Sequence, residues 1–317
     1  MWNIEDGECS WKIEVGSLTI LKKSHPNWFT LVRKIDDFFN NKNSKVQIYE
    51  DNQLINKKDW ECLFIPFDSN LQLDKITAKS PLKPILESSI DDLIMTPAYQ
   101  EFQNIWTELS EELMFIRKKL EQYDLEIEMV PFEPTYFKNY LVLNSLNKVM
   151  TPLHYKQILL KIFAKSTIDK NKLLVIELPE LFSTTREFQE FETIINELIK
   201  KGMKFILVTT RDIPAANTNY LVGDIIINNA RFEVIRNKCL SEIPFNSNND
   251  EYNIAKHGIV GLVDNSNDDT DFVEISTHFD HRIKALIYSM LKNLNIETNL
   301  DITGMTPNLA RFLEDIS

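Results

Sequence analysis

The chain has 317 residues, 43% of them apolar and 26% charged, with a net charge of −12. That size and composition suit one large globular domain or two, with ample core, and the acidic balance excludes a uniformly basic nucleic-acid binder while leaving room for a local basic surface. Cys9, Cys62 and Cys239 are too few and too scattered for a disulfide framework or a zinc site, so free thiols in a reducing cytoplasm are expected.

In chain order, Trp11–Val15 and Leu18–Lys22 read as two short strands turning at Gly16 and Ser17, and Asn27–Asn40 as a helix carrying Phe29, Val32, Ile35, Phe38 and Phe39. Lys45–Glu50 alternates like a half-buried strand, and Glu61–Phe67 is an apolar one; all of these are expected in one sheet with the central strands below. From Asp74 the period becomes helical. A long helix is expected from Pro97 to about Gln122, with Phe102, Ile105, Trp106, Leu109, Leu113 and Ile116 on its apolar face. A second helical region runs from Pro134 to about Lys165, with a break near Pro152.

The stretch Lys172–Ser183, KLLVIELPELFS, organises the rest. Leu173 to Ile176 is an unbroken apolar run closed by Glu177 and Pro179, the pattern of a strand buried on both faces. Thr184 and Glu187 make a capping box, Phe188, Phe191, Ile194, Ile195 and Leu198 follow at helical spacing, and Gly202 supplies the stop. Met203–Thr209 is a second apolar strand, so the unit is a right-handed βαβ and the sheet is parallel. Beyond it, Leu221–Ile227 and Arg231–Arg236 are expected as a hairpin through Asn228–Ala230, and Ser241–Tyr252 as a linker. Ile259–Val263 and Asp271–Ile275 are expected as strands, and His278–Leu294 and Pro307–Ile316 as helices. No signal peptide opens the chain, and no apolar segment approaches the roughly 20 residues that span a bilayer.

Four features could carry chemistry. Glu177, at the end of a buried strand, resembles the acid that holds magnesium in a P-loop NTPase, but Leu178 stands where a neighbouring catalytic acid would be. None of the seven glycines sits in a phosphate-binding loop, and Lys23–Asn27, KSHPN, replaces one. Such an acid is therefore either the remnant of a lost nucleotide site or an unrelated strand-end carboxylate. Asp124, Glu126 and Glu128 are spaced at i, i+2 and i+4, with Glu133 nearby. If extended, the first three share a face; they form either a calcium or magnesium site or a solvated acidic edge. From Lys138 to Lys172 there are seven lysines (138, 148, 156, 161, 165, 170 and 172) against one acid, Asp169, a net of +6. Such a segment is either a solvated helix face or a surface for phosphate contacts. His278, Asp280 and His281 read better as a helix start than as metal ligands, and no nucleophile has supporting spacing.

Taken together, WKIEVGSLTIL, a helix without a P-loop, LFIPFDSN leading into a long helix, DLEIE, the lysine-rich return and the KLLVIELPELF unit resemble the type II-A CRISPR-associated adaptation proteins often called the Csn-two family, over roughly residues 10 to 236. That resemblance implies an α/β fold: a degenerate P-loop-NTPase-like head with a parallel-rich sheet (residues 1–73 and 166–240), a helical leg (74–165) and, as in longer members, a C-terminal extension (241–317). It further implies a ring-shaped homotetramer that binds calcium (Ca2+) and threads double-stranded DNA ends through a lysine-lined hole during spacer acquisition. The partners would be the adaptation integrase and the RNA-guided nuclease, and no bond would be cut. Carried over residue by residue, Asp124, Glu126, Glu128 and Glu133 are the metal candidates. Lys138, Lys148, Lys156, Lys161, Lys165 and Lys170 are the DNA-facing candidates. The competing expectations are an active NTPase and a metal-dependent DNA-processing enzyme.

Overall fold

The computed structural model describes residues 1–7, 9–68, 82–141, 143–144, 146, 150–165, 170–266, 272–275, 278–299 and 305–316. In chain order the elements are β1 (Trp2–Asp6), β2 (Cys9–Ile13), β3 (Leu18–Lys22), α1 (Pro26–Asn40), β4 (Gln47–Glu50), β5 (Gln53–Leu54) and β6 (Trp60–Ile65). Then come α2 (Lys83–Ile94), α3 (Pro97–Glu112), α4 (Met114–Glu121), a 3-10 turn (Pro134–Asn139) and α5 (Pro152–Lys165). The chain returns through β7 (Asn171–Glu177), α6 (Thr185–Lys200), β8 (Lys204–Thr209), β9 (Asn217–Val222) and β10 (Ile225–Ile227). It ends with α7 (Asn229–Glu242), α8 (Asn249–Asn265), β11 (Phe272–Glu274), α9 (His281–Asn293), β12 (Glu297–Asn299) and α10 (Pro307–Ile316).

The fold is α/β with a parallel-rich sheet of six strands in the order β10-β9-β3-β8-β7-β6, of which only β10 is antiparallel to its neighbour. The expected βαβ unit is present. Leu173 to Ile176 are fully buried: β6 and β8 pair with the two edges of β7, and the crossover connections of a parallel sheet cover both of its faces. Thr184 and Glu187 close a reciprocal capping box at the start of α6. After α6, Gly202 takes φ +86°, a conformation that admits glycine without strain.

The N-terminal strands do not all join this sheet. β2, β1, β4 and β5 form a separate antiparallel sheet, including a strand (Trp2–Asp6) not anticipated from the sequence. Trp2 and Ile4 are buried and alternate with partly exposed Asn3 and Glu5, which suits a one-sided sheet; β3, inserted between β8 and β9, is inward on nearly every residue. Gly16 lies on the connection between β2 and β3, where a Cβ would fall 1.9 Å from the Asn217 side chain.

By compactness the chain divides into two units. The first comprises Met1–Ser69, Thr151–Gln157 and Ala164–Ser317; the second comprises Asn70–Met150 and Ile158–Phe163. Within the first, the C-terminal residues share a core with the main sheet: Val222 and Ile227 pack with Phe232, Cys239, Tyr252, Ile259, Leu286 and Met290. The expected hairpin strand Arg231–Arg236 is instead part of α7, because the Asn228 side chain accepts from the Arg231 amide and caps a helix. The hairpin is β9–β10, turning at Gly223 and Asp224. The expected linker and strand over Ser241–Val263 are largely α8, begun by a capping box of Asn248 and Glu251.

In the second unit the long helix is interrupted at Leu113, between α3 and α4. Phe102, Trp106, Phe132 and Phe137 form an aromatic cluster with centroids 4.9–6.3 Å apart. Ile105, Leu109 and Ile116, expected on the same apolar face, are instead about half exposed. No helix of the described residues is long and apolar enough to cross a membrane.

Candidate functional site

In open α/β sheets, ligands bind at the carboxyl ends of parallel strands, where crossover connections diverge. Here that edge is built by the ends of β3, β8 and β7. The connection from β3 to α1 is the place of a phosphate loop, and it holds only Lys23, Ser24 and His25. The amides of Lys23 and of the first turn of α1 are engaged within the chain. The Lys23 amide donates to the Thr209 carbonyl at 2.9 Å, the Asn27 amide to His25 Nδ1 at 3.2 Å and the Trp28 amide to the His25 carbonyl at 3.0 Å; Pro26 has no amide hydrogen.

Glu177 ends β7 fully buried. Its Oε2 accepts from the Phe67 amide at 3.1 Å, and its Oε1 has no hydrogen bond, lying 3.6 Å from Arg33 Nε. Burial pushes this carboxyl above the usual carboxylate range, while the Phe67 amide and the Arg33 charge pull the other way. After it, Leu178 and Phe182 take φ 39° and 59°, left-handed backbone that side chains adopt at a cost. Glu180 ties this loop to the end of β8, accepting from the Thr209 hydroxyl at 3.0 Å and from the Thr210 amide and hydroxyl at 2.7 and 2.8 Å.

Lys156 corrects an expectation. It is not at the surface but 2% exposed, its ammonium 3.3 Å from the carbonyls of both Glu177 and Leu178. Burial lowers it to about 8, against the raising fields of Glu180 and Glu177. It therefore cannot reach a phosphate from this position; α5 packs that face inward. Lys172 is likewise turned in, donating to the Ala164 carbonyl at 3.1 Å, so the basic segment presents less charge than its composition suggests. Lys161, Lys165 and Lys170 are exposed. Lys138 lies in the 3-10 turn but its side chain is outside the described residues, as is Lys148 altogether.

Asp124 takes φ 55° and reverses the chain after α4. The following residues run back without pairing as a strand, held by Arg117 Nε on the Ile127 carbonyl at 2.9 Å and Trp106 Nε1 on the Val130 carbonyl at 3.2 Å. Ile127 and Met129 are half-buried, while Asp124, Glu126, Glu128 and Glu133 all face solvent. Among the described residues, no three carboxylate, histidine or cysteine side chains gather closely enough to hold a metal. Asp280 is the N-cap of α9, accepting from the Arg282 amide at 2.8 Å, as the helix-start reading requires.

One constellation was not anticipated. Lys22, at the end of β3, is buried with two carboxylates: Asp212 from the loop after β8, which it contacts directly, and Asp264 from α8 at 3.5 Å. The LKK sequence at a strand end was visible, but a partner so far along the chain was not.

No protein-family model matches the sequence, and no curated protein matches it. Among solved structures, the fold is similar to that of Stu0660 of Streptococcus thermophilus, with a TM-score of 0.54 and 11% identity, over 100% of this chain and 99% of that one.

Proposed function

We propose that this chain is a non-catalytic clamp for double-stranded DNA ends, working as a homotetrameric ring in the cytoplasm during CRISPR spacer acquisition. The observation that carries the reading is the end-to-end likeness of fold to Stu0660, a CRISPR-associated protein of the family that the sequence resembles. Two features support it. The β3–α1 connection is only three residues long and holds no glycine, so it lacks the loop that cradles a nucleotide's phosphates, which favours binding over phosphoryl transfer. Lys161, Lys165 and Lys170 remain exposed, and repetition around a ring would multiply their charge along one duplex.

Calcium enters this proposal at Asp124, Glu126, Glu128 and Glu133. These exposed carboxylates are the right chemistry for a hard cation, which would damp their mutual repulsion when copies assemble. The adaptation integrase and the RNA-guided nuclease are the proposed partners.

A mobility-shift titration with linear and closed circular duplexes, with calcium and with a chelator, tests the reading. Tight binding of linear duplex that is insensitive to end sequence, needs calcium and weakens steeply with salt is expected. Equal affinity for closed circles overturns threading. Intact DNA after incubation with magnesium or manganese is the companion expectation, and cleavage would overturn the non-catalytic assignment.

A further inference from the structure

The end of β3 presents two lysines side by side in the crevice where α/β sheets bind anions. Lys22 is buried against Asp212 and Asp264. Lys23, held at φ 74°, sends its ammonium to the Ser266 carbonyl at 2.6 Å and the Ser266 hydroxyl at 3.3 Å. Asp264 and Ser266 belong to the C-terminal turn of α8 and its cap. That end of a helix carries its negative pole, so backbone and side chain alike offer negative charge to the two lysines. The other ionisable groups of this crevice are Arg211 and Tyr220. The Tyr220 hydroxyl is pushed up by burial and by both carboxylates, an independent sign that Asp212 and Asp264 converge.

We propose that Lys22 and Lys23 form an anion site that the protein fills with its own α8 terminus, so that Asp264 and the carbonyl of Ser266 stand where the phosphates of an oligophosphate ligand would bind. The C-terminal region thereby keeps the crevice closed to such ligands and is itself fastened to the sheet.

The test is anion rescue in the full-length chain. Asp212→Asn/Asp264→Asn leaves Lys22 buried without a counter-charge. Tripolyphosphate at millimolar concentration should raise the melting midpoint of this variant by a few degrees, leave the parent unmoved, and have no effect once Lys22→Met is added. If the double variant does not fold, its recovery on addition of tripolyphosphate, with and without Lys22→Met, is the same test: recovery that depends on Lys22 supports the site, and no recovery overturns it. The proposal is also overturned by an equal rise in parent and triple variant. A rise with adenosine triphosphate but none with tripolyphosphate would likewise overturn it, since the base and not the anion would then be bound.

Discussion

The buried ammonium of Lys156 lies 3.3 Å from the main-chain carbonyl oxygen of Glu177. Its value falls to about 8 from the ordinary 10.5 because burial opposes the charged form. With the folded value below the unfolded one, the unfolded chain holds more protons between those limits. The contribution of this site is therefore full above the ordinary value and is lost as pH falls through about 8. Urea unfolding should show the parent gaining on Lys156→Met by on the order of 2–3 kcal/mol as pH rises across that window. Parallel pH curves would mean that the amine is solvated.

Glu177 makes the opposite prediction. Its carboxyl sits above the ordinary range, so ionising it in the folded state at neutral pH costs stability. Glu177→Gln keeps an acceptor for the Phe67 amide and removes the charge. The variant should be as stable as the parent or more so at neutral pH, with the advantage shrinking as pH falls from the raised value towards the usual carboxylate value and gone below it, and duplex binding should be unchanged. A loss of stability at neutral pH would mean that the Arg33 pairing outweighs burial.

Lys23 combines a left-handed backbone with an amine contact to Ser266, and two substitutions separate them. Lys23→Ala loses the contact and keeps the strain; Lys23→Gly loses the contact and relieves the strain. The glycine variant should be the more stable of the two by about 1 kcal/mol, read from urea midpoints, the gain being reduced by the freedom glycine adds to the unfolded chain. Equal midpoints would show that the loop relaxes around alanine.

Charge reversal at Lys161, Lys165 and Lys170, all exposed, should weaken linear-duplex binding at least tenfold and flatten its salt dependence, each lost phosphate contact removing about 0.9 from the slope. Circular dichroism should stay that of the parent, because no buried group is touched. Unchanged affinity would move the DNA surface elsewhere.

Replacing Asp124, Glu126 and Glu128 by their amides should abolish any rise in melting midpoint on adding calcium while leaving the calcium-free midpoint near that of the parent, since these side chains face solvent. A calcium-dependent rise that survives the triple substitution would place the ion at other ligands.

The βαβ unit was legible because its signals are local: an apolar run, a capping box and a stop glycine within one stretch. The division of the N-terminal strands between two sheets was not, since β1 pairs with β4 through contacts that no short window contains. The segment over Arg231–Arg236 looked like a strand through its apolar alternation, yet Val234 is 81% exposed, and the decisive residue was the capping Asn228. At the site, the acid of Glu177 and the missing phosphate loop could be read directly. The burial of Lys156 could not, because a lysine run reads as solvated until the helix that carries it is docked. The Asp264 partner of Lys22 depended wholly on how α8 packs.

The placement of β3 between β8 and β9 has a consequence for synthesis. This strand is among the first segments to leave the ribosome, but both of its neighbours are encoded after Lys204. At roughly 5–20 residues per second it waits roughly 10–40 s with both edges unpaired. A nascent chain stalled before its neighbours emerge would therefore be a client for chaperones and a seed for aggregates, even though the finished protein hides nearly all of the same strand.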